Sequence, residues 1–251
     1  MARQKGVLSL EGKAGNFSFF QGRDGYGART SDGMNGSRIA EDEAFKRTRE
    51  NGMEFGRAGK AGKLLRTALR PILVGISDSK VTSRLTTQML RVVKSDPIND
   101  RGDRTAMHGE LELLNGFEFN VIAPIRQTVF AEFTAAIDRA TGTGTVSLPS
   151  FDPAKMIAST PGATHYSLLL GIVSANFDVL ETKQAMLFGD ALALNTVTAQ
   201  SVLTVKLPEA SEDPIFLAFG IEFMQIVNGK KYGLNNSDHK AMAIVAVEMG
   251  I

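Results

Sequence analysis

The 251 residues suffice for one large or two small domains with a substantial core, and the absence of cysteine excludes disulfides, thiolate nucleophiles and Cys-ligated metals. Residues 1–104 hold 20 Lys and Arg against 12 Asp and Glu, whereas residues 105–251 hold 8 against 15. A chain with a basic and an acidic half can attract a copy of itself head to tail, or pair the two halves within one monomer.

The N-terminus has no long apolar run, which predicts no signal peptide. No stretch of the chain reaches the roughly 18 apolar residues of a membrane helix, so no membrane span is predicted. We therefore expect a protein of the cytoplasm or of an assembled phage-like particle.

Residues 6–30 predict a small β-ribbon with turns at residues 12–15 and 22–25. Its strands are rich in aromatic side chains: Phe17, Phe19, Phe20 and Tyr26. A ribbon this short cannot bury itself. It must therefore dock on the rest of the chain or on a neighbouring subunit, where strand addition is a common mode of linkage.

Helices are predicted next, from about residue 38 to 51 and from about 53 to 69, with a break at Asn51-Gly52 and an end or a kink at Pro71. A third helix follows, because one apolar stripe recurs at helical spacing. The stripe consists of Val81, Leu85, Met89, Val92 and Val93.

The second helix carries Gly56, Gly59 and Gly62 at a spacing of three, beside a row of cations. Glycine costs a helix interior up to about 1 kcal/mol relative to alanine, so this glycine row predicts the close approach of another backbone. The partner is either a helix of the same chain, another subunit or a phosphate backbone. The predicted assembly interface comprises Phe17, Phe19, Phe20, Tyr26, Gly56, Gly59, Gly62, Arg57, Lys60 and Lys63.

The C-terminal half predicts short strands separated by turn signals, which is typical of an antiparallel β-sandwich. Asn228-Gly229 is a strong hairpin signal. The strands are predicted at residues 117–121, 129–137, 145–148, 165–174, 185–188, 201–207, 216–227 and 241–247. The predicted fold is therefore α+β, with a ribbon and helical domain at residues 1–109 and a β-sandwich domain at residues 110–251.

Catalytic motifs are absent from the sequence. The segment from Gly56 to Lys63 differs from a phosphate loop, because five residues separate Gly56 from Gly62 and Leu64 follows the lysine. No G-x-S-x-G motif occurs. The three histidines, His108, His165 and His239, are isolated from one another in sequence. The prediction is a non-enzymatic protein without a metal or cofactor.

Residues 12–20, 24–29 and 47–56 together resemble a set of functionally uncharacterised Bacteroidota proteins. Those proteins are similar in order, with a short β-ribbon, a helical segment and a β-rich C-terminal half. The resemblance covers mainly the first half of the chain and its motifs are turn and packing residues. It implies a non-enzymatic cytoplasmic or phage-like protein and assigns no catalytic residue.

The favoured hypothesis is a structural subunit that self-assembles into a filament, tube or phage-tail-like particle. One alternative is a nucleic-acid-binding module that uses the cations of the helical half: Arg47, Arg49, Arg57, Lys60, Lys63, Arg66 and Arg70. Against it, the acids Glu41, Asp42, Glu43, Glu50 and Glu54 interleave with those cations, and the sequence pI is about 7.9. The other alternative is a solitary adhesion or binding domain.

Overall fold

A computed structural model describes residues 2–3, 10–22, 25–30, 36–76, 78–208, 211–234 and 240–250. The fold is α+β, as predicted, with N-terminal antiparallel strands, a helical segment and an antiparallel C-terminal half. The chain forms two compact units, Met1–Glu50 and Asn51–Ile251. The domain boundary predicted after residue 109 falls within the second unit.

The first unit contains a four-stranded antiparallel sheet in the order β1-β4-β3-β2. Its strands are β1 (Ala2–Arg3), β2 (Gly12–Ala14), β3 (Phe17–Gly22) and β4 (Gly25–Thr30). Helix α1 (Gly36–Glu41) and a 3-10 turn (Glu43–Phe45) follow. Gly15 has φ +57° in the turn between β2 and β3, where a left-handed residue lets the chain reverse. The first predicted strand, from residue 7 onward, lies mostly outside the described residues.

Helix α2 (Lys46–Ala68) runs without interruption through Asn51-Gly52, so the break predicted there is wrong. One side of the helix is buried along its length from Glu54 to Ala68, and Ala61 and Leu65 on that side are almost fully buried. The Asn51 side chain does not compete with the helix backbone, because its Oδ1 accepts a hydrogen bond from Arg101 Nη2 at 2.9 Å. Packing of the buried side outweighs the helix cost of a single exposed glycine.

Two further helices complete the helical segment. In α3 (Arg70–Leu73), Pro71 lies in the first turn, where its missing N–H costs no hydrogen bond. In α4 (Val81–Lys94), the predicted apolar stripe faces inward and four of its side chains are buried: Leu85, Met89, Val92 and Val93.

The described part of the C-terminal half contains nine strands: β5 (Thr134–Asp138), β6 (Thr143–Leu148), β7 (His165–Asn176), β8 (Glu181–Phe188), β9 (Leu192–Ala193), β10 (Ser201–Lys206), β11 (Ile215–Val227), β12 (Lys230–Gly233) and β13 (Ala241–Glu248). A 3-10 turn (Leu111–Leu114) and the short helices α5 (Ile125–Thr128) and α6 (Pro153–Met156) lie between them. Asn228 and Gly229 both have positive φ in the hairpin between β11 and β12, as predicted.

The strand predicted at residues 117–121 is wrong. Only an isolated bridge pairs Glu118 with Ala243, and the buried Phe119 donates its backbone N–H to the Met242 carbonyl at 2.8 Å. Residues 116–119 thus run beside β13 and share backbone hydrogen bonds with Met242 and Ile244, but they do not form a regular strand. The strand predicted at 129–137 begins only at Thr134.

Two sheets form the predicted sandwich. The larger has the order β12-β11-β7-β8, with β13 also on β11 and β9 also on β7, and the smaller has the order β10-β6-β5. Along β7, Leu169 and Val173 pack with the helices, whereas Leu170 and Ile172 pack with the smaller sheet. The large sheet is therefore a buried central layer, with helices on one face and the small sheet on the other.

Candidate assembly surfaces

The aromatic residues of the ribbon divide between its two faces. Cross-strand pairing of Phe19 with Ala28, and of Gln21 with Tyr26, puts Phe17, Phe19 and Tyr26 on one face. Phe17 is 52% exposed, and its ring centroid lies 6.4 Å from that of Phe19. We call these three residues the aromatic face. None of them is buried by the part of the chain that the structure describes.

Phe20 points to the opposite face of the ribbon. Its ring covers Gly27, where an added Cβ would lie 2.8 Å from the ring, and the guanidinium of Arg29 lies 5.6 Å from the ring centroid. Gly27 is the only buried residue among the described ones from 10 to 30. Phe20 therefore stabilises the ribbon itself. It does not belong to the aromatic face, although the predicted assembly interface included it.

The glycine row of α2 also divides. Gly62 is buried against α4, where an added Cβ would lie 3.4 Å from Leu85 Cγ and 3.7 Å from Met89 Cγ. At Gly56 and Gly59, no described atom lies within 4 Å of an added Cβ. Close helix packing inside the chain thus accounts for Gly62 alone, and the other two glycines lie on an open side of the helix.

The cations beside the glycines have different surroundings. Arg57 binds a loop, donating to the carbonyls of Gly102 and Arg104 and pairing with Asp103 at 3.3 Å. Arg66 donates to the Thr82 hydroxyl of α4. Lys60 and Lys63 are exposed. Arg57 therefore fixes local structure, while the two lysines are available to a partner.

Two buried acids organise the loop from residue 95 to 109. The Asp96 carboxylate, on a residue 4% exposed, accepts hydrogen bonds from Ile98 N, Asn99 N, Asn99 Nδ2 and Thr105 N at 2.8–3.1 Å. Burial alone would raise the pKa of Asp96, but these hydrogen bonds outweigh it and hold the pKa well below its usual range. Glu54 of α2, 1% exposed, accepts from Gly102 N at 2.9 Å. Sequence reasoning missed both roles, although Asp followed by Pro is a known turn signal.

A groove of about 540 Å³ lies between α4 and the segment from Leu113 to Val121. The Arg84 guanidinium lies 5.1 Å from the Phe117 ring centroid and donates to the Glu118 carbonyl at 2.8 Å. Burial raises the pKa of Glu118 to about 7, against the opposing hydrogen bond from Ile125 N and the charges of Arg84 and Arg126. Glu118, which is one of the residues that line this groove, therefore has a carboxyl pKa well above that of an ordinary glutamate.

Glu118 is expected to make stability depend on pH. The folded state binds the proton more tightly than an ordinary glutamate, whose pKa is 4.5. The protonated carboxyl therefore contributes its full share to the free energy of unfolding below pH 4.5, and this share is lost as pH rises through about 7. In urea titrations between about pH 5 and pH 8, Glu118→Gln should become progressively more stable relative to the parent protein.

The matched control for that prediction is Glu112→Gln, which changes an exposed glutamate in the same region. Its free energy of unfolding should follow the parent curve at a constant offset. Parallel curves for Glu118→Gln and the parent would show that the Glu118 carboxyl is ionised throughout, in contradiction to the prediction.

The histidines bind local polar groups. His108 Nδ1 lies 3.2 Å from both Asn99 Nδ2 and Thr105 Oγ1, and His165 Nδ1 lies 2.8 Å from Thr164 Oγ1. His239 lies outside the described residues. Within the described ranges, no group of three or more His, Asp or Glu side chains has the geometry of a metal site. No helix in those ranges is both long and apolar enough to cross a membrane.

Comparisons with protein families, with curated proteins and with solved structures found no match for this chain. Functional inference therefore rests on the geometry and charge of the chain's own surfaces.

Proposed function

We propose that this protein is a non-enzymatic structural subunit that self-assembles into a filament, tube or phage-tail-like particle, with the aromatic face of the ribbon in the contact between copies. Phe17 is 52% exposed and Phe19 and Tyr26 are half-buried, and this incomplete cover of the aromatic face supports the proposal. Burying one Phe side chain contributes about 1.5–3 kcal/mol, and a small sheet needs such cover to be stable.

Charge and free strand edges favour a second copy as the cover. Residues 1–104 carry a net charge of +8 and residues 105–251 a net charge of −7, so unlike halves of two copies attract. In the ribbon, β1 and β2 are the outer strands. No described strand pairs with the outer edge of either one, and such an edge can pair with a strand of a neighbour. A contact between unlike surfaces repeats from copy to copy, which builds rings or filaments.

Phe17→Ser tests this proposal. If the aromatic face is buried between copies, loss of about 2 kcal/mol should raise the dissociation constant for self-association about 30-fold, measured by sedimentation velocity. Phe188→Ser is the matched control, because Phe188 of β8 is 54% exposed and lies in the second unit. The control should assemble like the parent protein.

Removal of residues 1–30 is the stronger form of the same test. The second unit has its own buried cores, so the remainder should stay folded and should no longer assemble. Normal assembly of the truncated protein would exclude the ribbon as the contact. A parent protein that sediments as a monomer at about 100 µM would instead favour the solitary binding domain.

A further inference from the structure

The outer surface of the helical segment is more basic than the sequence suggests. Its exposed cations, which we call the cationic face, are Lys60, Lys63, Arg70, Lys80, Arg91 and Lys94. They lie on α2, α3 and α4 or at the start of α4, all within the second unit. None of the six forms an ion pair with an acidic residue in the described part of the chain.

The acidic residues of the same segment mostly do not reach the surface. Between residues 51 and 104, Glu54 and Asp96 are 1% and 4% exposed, and the Asp78 side chain is 5% exposed and pairs with Arg84. Asp100 and Asp103 are the exposed acids among the described residues of this segment, and Asp103 is paired with Arg57. Glu50, the last acid of the first unit, is also buried. Of the acids that interleave with the cations in the sequence, Glu50 and Glu54 are therefore buried, whereas the exposed Glu41 and Glu43 belong to the first unit.

The two longer helices that carry most of these cations, α2 and α4, pack side by side. Arg66 of α2 binds Thr82 of α4, and Gly62 lies against Leu85 and Met89, so the helices run antiparallel. Lys94 therefore lies toward the Lys60 end of the pair. From Lys60 to the end of α2 at Ala68 the helix extends over about 12 Å at a rise of 1.5 Å per residue, and Arg70 follows at the start of α3. That length matches about four phosphates of one nucleic-acid strand, at roughly 3.4 Å each along the axis.

We infer that the cationic face binds the sugar-phosphate backbone of nucleic acid, independently of base sequence. Lysine and arginine are the side chains that contact backbone phosphates, and such contacts carry no sequence information. The inference goes beyond self-assembly and does not rest on it.

The composition of the face favours a polyanion over a protein partner. Protein interfaces have an apolar centre, with charged groups depleted there. Between Lys60 and Lys94, Val74 is the exposed large apolar side chain, at 65% exposure. Acidic protein surfaces, including the acidic half of a second copy, are the competing occupants that the experiment must distinguish.

Lys60→Gln/Lys63→Gln tests the inference in the full-length chain. Lys230→Gln/Lys231→Gln is the matched control, since it removes the same charge from two exposed lysines of β12, which belongs to the sheet. Two nucleic-acid probes are used: a fluorescent DNA duplex of about 25 base pairs, which is two to three helical turns, and an RNA strand of about 25 nucleotides. Polyglutamate is the third probe and represents an acidic protein. Fluorescence anisotropy is followed from about 0.05 to 0.2 M salt.

For about four phosphate contacts, the parent protein should lose duplex affinity about 150-fold over that fourfold range of salt, a logarithmic slope between −3 and −4. Lys60→Gln/Lys63→Gln should bind about 60-fold more weakly at about 0.1 M salt, with a slope shallower by about two. The control variant should bind like the parent, and thermal melting should be unchanged in both variants because all four lysines are exposed.

Four results would overturn the inference. The first is the absence of binding of either nucleic acid by the parent protein at about 0.05 M salt. An equal loss of nucleic-acid affinity in the control variant would show that binding depends on the net charge of the protein and not on the cationic face. Polyglutamate bound as tightly as nucleic acid would identify an acidic protein partner. Loss of self-association in Lys60→Gln/Lys63→Gln, measured without nucleic acid, would assign the face to the acidic half of a second copy.

Discussion

Asp96→Ala is expected to lower the free energy of unfolding by about 3–4 kcal/mol, measured by urea denaturation. Each backbone donor left without a partner costs about 1–3 kcal/mol when it is buried. The backbone N–H groups of Ile98, Asn99 and Thr105 all lose their acceptor in this variant. The donors nearest to solvent recover water, which is why the expected loss is smaller than the full sum.

Asp100→Ala is the control, since it removes an exposed carboxylate from the same loop. It should change the free energy of unfolding by less than about 0.5 kcal/mol. Equal effects of the two substitutions would contradict the assigned role of Asp96. The low pKa of Asp96 adds a second signature with a definite sign. Its stabilisation is present above the unfolded pKa of about 3.9 and is lost as pH falls below that value, so the two proteins should converge in acid.

The fold was predictable where a whole side of an element is buried. The stripe of α4 has helical spacing because Leu85, Met89 and Val92 all face the core. The strands β7 and β11 are apolar on both faces because helices cover one face and the small sheet covers the other. Such patterns depend on the burial of many residues, so a single exception does not erase them.

Local signals failed where tertiary contacts outweighed them. Asn51-Gly52 is a turn signal, but the packing of α2 and the bond from Arg101 keep the helix continuous. Phe117 and Phe119 alternate like strand residues, but they pack edge to face at 5.2 Å in an irregular segment. Backbone hydrogen bonds join this segment to β13, but no property of the local sequence shows how far such a ladder will extend.

The charge of the candidate surfaces was only partly predictable from the sequence, because a count of charged residues treats every acidic residue as exposed. Glu54 and Asp96 accept backbone hydrogen bonds inside the molecule, and that role depends on residues up to 48 positions away. The separation of Phe19 from Phe20, by contrast, follows from the alternation of side chains along a strand. It could have been derived from the sequence once the ribbon was predicted.

Leucine substitutions at Gly62 and Gly59, which lie on the same helix in different surroundings, are expected to change stability in opposite directions. In Gly62→Leu, the new side chain must enter a contact in which its Cβ alone would already lie 3.4 Å from Leu85 Cγ. Overpacking of this kind costs about 1–3 kcal/mol, so the free energy of unfolding should fall by that amount. In Gly59→Leu, no described atom lies within 4 Å of the added Cβ, so the side chain has room.

Gly59→Leu should therefore stabilise the isolated subunit by about 0.5–1 kcal/mol, because leucine favours a helix more than glycine does. If α2 contacts a neighbouring copy at Gly59, the same substitution must weaken self-association while the subunit itself becomes more stable. Urea denaturation and sedimentation velocity on both variants separate these effects, since only an intermolecular contact moves the two readouts in opposite directions. A destabilised Gly59→Leu subunit would mean that this side of α2 is covered within the chain, and it would remove Gly59 from the assembly interface.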